Sequence, residues 1–137
     1  MSDAGYQVTH IDEIPEPPGE SDEERAWHAV RIHFGIQSFG VNAYTATGDG
    51  VLVGEHDEAD TQHEELFFVS KGAATFTVDG ETVEAPAGTF VYVPDPASKR
   101  SAVTQGPGTT VLCLGGSPGE TFAVSDWEKE YDPASAS

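Results

Sequence analysis

The segment from Gly50 to Gly72 concentrates the residues best able to do chemistry. His56, Asp57, Glu58, Asp60, His63, Glu64 and Glu65 fall within ten positions, and Lys71 is the only cation in the run. If residues 51 to 58 form one β-strand and residues 63 to 69 the next, strict alternation sets His56 and Glu58 on one face of the first. His63, Glu65, Phe67 and Val69 then share one face of the second. A hairpin loop over 59 to 62 turns these faces together, so that two imidazoles and two carboxylates converge beside an apolar floor. Those are ligand types for a divalent transition metal, and His56, Glu58, His63 and Glu65 are the candidate set for iron(II), manganese or zinc.

Elements able to hold such a set follow from the rest of the pattern. From Trp27 onward the apolar residues recur mainly with period two: Val30/Ile32/Phe34, Phe39/Val41/Ala43, Val51/Val53, Phe67/Val69, Phe76/Val78, Val91/Val93 and Val111/Cys113. Short alternating runs separated by Gly, Pro and Asp predict antiparallel strands. Asp79-Gly80 supplies the positive φ angles of a two-residue type I′ turn, which predicts a hairpin over Thr75 to Val83. Ala85-Pro86-Ala87-Gly88 marks another turn. Ser125-Asp126-Trp127-Glu128 has capping-box spacing and predicts a short helix carrying Trp127 and Tyr131 on the outside of the sheet. Residues 12 to 24 combine three prolines with a dense acidic run and read as a solvated arm, preceded by a short edge strand over 6 to 11. The expected division is an arm over 1 to 26, a β-barrel or double-sheet sandwich over 27 to 124, and a helix with a frayed tail over 125 to 137.

Charge narrows the partners. The 137 residues hold 24 acidic and 6 basic side chains, a formal charge of −18. Arg25, Arg31, Lys71, Lys99, Arg100 and Lys129 make no patch able to neutralise nucleic-acid phosphates or to dock on an anionic membrane. No apolar run approaches the roughly 20 residues that span a bilayer. The amino terminus lacks a basic region and an apolar run, so no signal peptide is read and a cytoplasmic location is expected. A lone Cys113 fits a reducing compartment and reads as a small buried hydrophobe.

The chain resembles the cupin superfamily, whose first motif is G-x5-HxH-x3/4-E-x6-G. Gly50, His56, Glu58, Glu65 and Gly72 follow that frame, with Glu58 at the second histidine and six residues, not three or four, before Glu65. In the second motif, G-x5-P-x-G-x2-H-x3-N, Gly88 and Pro94 match, whereas Pro96, Lys99 and Val103 replace the second glycine, the histidine and the asparagine. The resemblance spans roughly residues 40 to 115 and implies an all-β jelly-roll barrel, or double-stranded β-helix, with a short C-terminal helix, paired as a homodimer. It implies an interior site for a small polar or anionic molecule and either no cofactor or one divalent metal. Lys99 at a metal-ligand position cannot coordinate, but turned inward it would pair with Glu65 or Glu58 where a metal would sit, with Arg100 turned outward. Lys99, Tyr92, Glu65 and Phe67 are then the candidate ligand-binding residues. Three functions follow as expectations: a small-molecule-binding cupin with a degenerate metal site, a metal-dependent oxygenase or isomerase, or a sensor module whose acidic arm contacts a basic partner.

Overall fold

A computed structural model describes residues 5–16, 25–48 and 50–131. Nine strands follow one another through these residues. They are β1 (Arg25–His28), β2 (Gly40–Ala46), β3 (Val51–His56), β4 (Glu64–Lys71), β5 (Ala73–Val78), β6 (Glu81–Pro86), β7 (Phe90–Val93), β8 (Arg100–Thr104) and β9 (Thr110–Gly116). Short helices α1 (Val30–Phe34) and α2 (Asp126–Lys129) flank them. The strands form two antiparallel sheets, ordered β1-β2-β9-β4-β7 and β3-β8-β5-β6. The result is an all-β jelly-roll barrel.

The two sheets close on one core because alternate residues of each strand point between them. Phe67 on β4 and Phe76 on β5 are both fully buried, with ring centroids 5.3 Å apart, and Leu52, Val69, Ala74, Ala102 and Val111 fill the space around them. The β5–β6 hairpin turns at Asp79 and Gly80, whose φ angles of 50° and 83° are those of the expected type I′ turn. Gly72 has a different reason to be glycine. Its φ is +74°, and a Cβ there would lie 2.4 Å from Thr109 Oγ1 and 2.8 Å from Thr109 Cα. Gly72→Ala is therefore expected to cost about 3 kcal/mol through left-handed strain and overpacking, measured by urea denaturation.

Three sequence expectations change. Val30, Ile32 and Phe34 lie on helix α1, not on a strand, because Gly35 at φ 71° ends a helical turn that carries Arg31 into the interior. Residues 6 to 11 form no strand; the chain makes a single 3₁₀ turn, Ile11–Glu13, in which His10 Nδ1 accepts from the Asp12 N–H, and Ile14 is buried beyond it. Residues 17–24 of the acidic arm and the tail from 132 lie outside the described residues. Helix α2 forms where it was expected, with Ser125 at its N-cap but without a capping side-chain hydrogen bond. Its Glu128 points inward instead, and Trp127 and Tyr131 pack on buried Trp27 with ring centroids 5.0 and 5.2 Å away. No helix among the described residues is long and apolar enough to cross a membrane.

Candidate functional site

His56 closes β3 at a place where the strand departs from regular pairing. The β3–β8 register shifts between Val53 and His56, which then sits opposite Arg100. Such bulges re-aim a side chain at the rim of a barrel. Here the imidazole Nδ1 lies 2.7 Å from the Gly54 carbonyl, which can only accept, so the proton is on Nδ1 and Nε2 faces inward. Glu58 lies beyond the strand end, in a turn held by its own N–H to the Pro96 carbonyl at 2.7 Å and by Gln62 N–H to the Glu58 carbonyl at 2.7 Å. Glu65 comes from β4, opposite Val93 and Gly115. Gly115 leaves it room, since a Cβ there would meet the Glu65 Cγ at 3.4 Å and the Glu64 carbonyl at 3.2 Å.

The three residues converge. Ligand atoms of His56, Glu58 and Glu65 all lie within 4.8 Å of one another, and His56 Nε2 is 3.4 Å from Glu65 Oε1 and 3.8 Å from Glu58 Oε1. His63 is not a member of this set. Its ring is buried and stacked on Phe122 at 5.1 Å, with Nδ1 4.0 Å from Glu58 Oε1. Burial holds the His63 pKa below its ordinary value, opposed by the Ala123 backbone, although Nε2 makes no hydrogen bond of good geometry among the described residues.

The positive partner of the carboxylates is Arg100, and the expected orientation of Lys99 and Arg100 is reversed. Lys99 is exposed, its N–H donating to Asp79 Oδ1 at the β5–β6 turn, whereas Arg100 is fully buried. The reason is the phase of β8. The strand begins at Arg100, and its inward positions are Arg100 and Ala102, leaving Val103 42% exposed. Arg100 Nη1 donates to Glu65 Oε1 at 2.8 Å, while Nε and Nη2 donate to the carbonyls of Ser98 and Asp95. Glu65 Oε2 accepts from the Cys113 thiol at 3.0 Å. Burial and the neighbouring Glu65 push the Cys113 pKa up, so this thiol is a neutral donor and not a nucleophile.

The electrostatics follow from these contacts. Burial alone would raise the Glu65 pKa, but hydrogen bonds from His56, Cys113 and Arg100 hold it below the ordinary carboxylate value. Burial and the charge of Glu65 push Glu58 up to about 7. The Glu65 carboxylate, aided by the Gly54 carbonyl and Glu58, raises His56 against the effect of burial.

Two candidate ligand-binding residues lie elsewhere. Tyr92 is 56% exposed and donates to Glu64 Oε2 at 2.9 Å on the outer face, because Val91 and Val93 take the inward positions of β7. Phe67 is core, packed on Phe76, and does not line the site.

His56, Glu58, Glu65 and Cys113 open into a cavity of about 630 Å³ whose other walls include Arg25, Asn42, Tyr44 and the segment from Phe122 to Lys129. That C-terminal segment is fastened from below. Buried Glu128 pairs with buried Arg31 and accepts from Asn42 Nδ2 at 2.8 Å, and Asn42 Oδ1 in turn accepts from Trp27 Nε1 at 3.0 Å. Sequence reading missed Arg31, Asn42, Arg100 and Glu128.

A family model described as a cupin domain matches residues 43–99, which contain the whole His56/Glu58/Glu65 set. Over that span the chain is similar to a cupin domain. Solved structures agree on the architecture. A cupin protein from Bacteroides fragilis is 21% identical, with 89% of this chain and 92% of that one covered and a TM-score of 0.61. A cupin-superfamily sugar phosphate isomerase from Silicibacter pomeroyi is 17% identical over 80% and 74% of the two chains, with a TM-score of 0.62. Streptomyces PAC13, described as a nucleoside dehydratase and solved with uridine, is 17% identical over 90% and 88%, with a TM-score of 0.59. No curated protein matches the chain. Among the described residues His56, Glu58 and Glu65 are the donors that cluster, and one of them, Glu65, already accepts from a guanidinium that stays protonated and repels a dication.

Proposed function

We propose that this chain binds a small polar molecule in the cavity above His56, Glu58 and Glu65, with Arg100 supplying the counter-charge that a metal supplies in a complete cupin site. The observation that carries this reading is the Arg100–Glu65 contact, 2.8 Å long between two side chains that are 0% and 8% exposed. The cavity volume suits a metabolite-sized ligand. Two of the similar structures are named for sugar phosphate and nucleoside chemistry, which is consistent with a compact polar ligand. The expected result of elemental analysis on protein purified without an affinity tag is iron, manganese and zinc far below one ion per chain. A second reading, a metal-dependent oxygenase or isomerase, is favoured by the 4.8 Å clustering of three donors and by the Gly54-anchored His56 tautomer. One equivalent of metal that is lost in His56→Ala would establish that reading and overturn the first.

A further inference from the structure

Resting on the small-molecule reading and deepening it, we infer that the ligand of this cavity carries a positive charge, as a small amine or quaternary ammonium compound does. The argument begins with the cations at and behind the walls, each of which is already engaged. Arg100 directs its donors to Glu65 and to the Asp95 and Ser98 carbonyls. Arg31 serves Glu128 and the Ile36 carbonyl, and Lys129 pairs with Asp126 at 3.2 Å. Arg25 donates to the Leu52 carbonyl and lies 4.2 Å over the Tyr44 ring. An anionic ligand would therefore have to displace an existing partner.

The carboxylates are in the opposite condition. Glu55, Asp57 and Asp60, all exposed, line the cavity with no cation within ion-pair reach among the described residues, and Glu58 has the His56 imidazole at 3.8 Å and only a neutral His63 ring at 4.0 Å. The walls also offer a π face: Trp127, 47% exposed, stands on the C-terminal segment, while buried Tyr44 shows that a cation is already held over an aromatic ring in this wall, its face covered by Arg25. Aromatic faces beside carboxylates in a partly enclosed space attract a cation by both its charge and its low hydration. A neutral ligand would satisfy hydrogen bonds there but leave the like charges facing one another.

The test is calorimetric titration of the full chain at low salt with five probes: choline and putrescine as cations, uridine as a neutral ligand, inorganic phosphate and glucose 6-phosphate as anions. The inference expects at least one cation to saturate at one site per chain, and to bind about tenfold more weakly to the Asp57→Asn/Asp60→Asn double variant. Affinity should also fall several-fold as salt rises from about 0.01 to 0.15 M. Cation binding that the double variant leaves unchanged would be surface association and would overturn the inference. Saturation by uridine or an anion, with neither cation binding, would overturn it while leaving the small-molecule reading intact. Failure of all five probes would count against it, and a full equivalent of metal in the same preparation would remove the underlying reading as well.

Discussion

Arg100→Met is expected to lower stability by about 3–5 kcal/mol at neutral pH, a fall in Tm of more than about 10 °C, because it strands an ionised carboxylate inside the barrel. Glu65 is 6% exposed, and the guanidinium is the only permanently charged partner it has among the described residues. The pH dependence gives the effect its signature. In the native chain the Glu65 pKa lies below its ordinary 4.5, so its ionised form contributes stability that is present above 4.5 and is lost as pH falls through the folded value. Without Arg100 burial is opposed only by His56 and Cys113, so the folded pKa of Glu65 rises, and the variant loses less relative to the native chain as Glu65 takes up a proton. Glu58, raised to about 7, works in the direction opposite to native Glu65 in both proteins, costing stability as pH rises from 4.5 to about 7. Urea titrations at pH 7.5 and 5.0 should accordingly show a smaller difference between native and variant at the lower pH. An equal loss at both would mean that Glu65 is not the group left unpaired. The same variant frees Glu65 for coordination beside His56 and Glu58, so zinc or manganese should raise its Tm and leave that of the native chain nearly unchanged. Arg100→Lys restores charge but cannot span Glu65 and the Ser98 and Asp95 carbonyls together, and is expected to recover only part of the stability.

Much of the barrel and the nucleus of the site were legible beforehand. Alternation in Phe67/Val69 and Phe76/Val78, punctuated by Asp79-Gly80, identified real strands and a real turn, because a half-buried strand between sheets must alternate. The convergence of His56, Glu58 and Glu65 followed from the same rule, even though Glu58 sits past the end of β3 and His56 reaches the interior through a bulge that no spacing predicts. What alternation could not give was phase across an irregular loop. Between Pro94 and β8 the chain turns through residues whose number does not fix which of Lys99 and Arg100 faces in, and the motif position of Lys99 pointed to the wrong one. Residue type held a better signal. All three lysines are exposed, whereas Arg31 and Arg100 are buried and Arg25 is half-buried. A guanidinium is less strongly hydrated than an ammonium and can share its donors among carbonyls and a carboxylate, so in a chain with few cations the arginines are the ones to expect inside. Glu128 was concealed by its own plausible role as the last residue of a capping box, and Arg31 by a strand pattern that folds as one helical turn. The two meet across a sequence separation of 97 residues, beyond the reach of any local pattern.

That second buried pair leads to a different expected result. Glu128→Ala should leave Arg31 without its carboxylate and the Asn42 amide without its acceptor, both beneath the C-terminal wall of the cavity. If the molecule could respond only by global unfolding, the cost would be the full penalty for an unpaired buried charge, about 3–5 kcal/mol. It has a cheaper response. Residues 117 to 131 pair with no strand, and their attachments include Glu128, the Trp127 and Tyr131 contacts with Trp27, the Phe122 ring against His63 and Gly40, and the Ser117 hydroxyl on the Thr61 carbonyl. Local detachment of this segment would return Arg31 to water, so the loss of global stability is capped at the free energy that holds the segment down. The expected outcome is thus a modest fall in Tm with a large local change. Amide hydrogen exchange should accelerate over 122–131 and remain slow in β4 and β5. Acrylamide quenching should report the same event, because the chain's two tryptophans, Trp27 and Trp127, lie on either side of the contact that opens. Arg31→Met/Glu128→Met replaces the pair with apolar groups of similar length and is expected to restore most of the protection, since an apolar pair carries no desolvation cost. If Glu128→Ala leaves exchange over 122–131 unchanged, the Arg31–Glu128 pair does not hold the wall, and the segment's other contacts must do so.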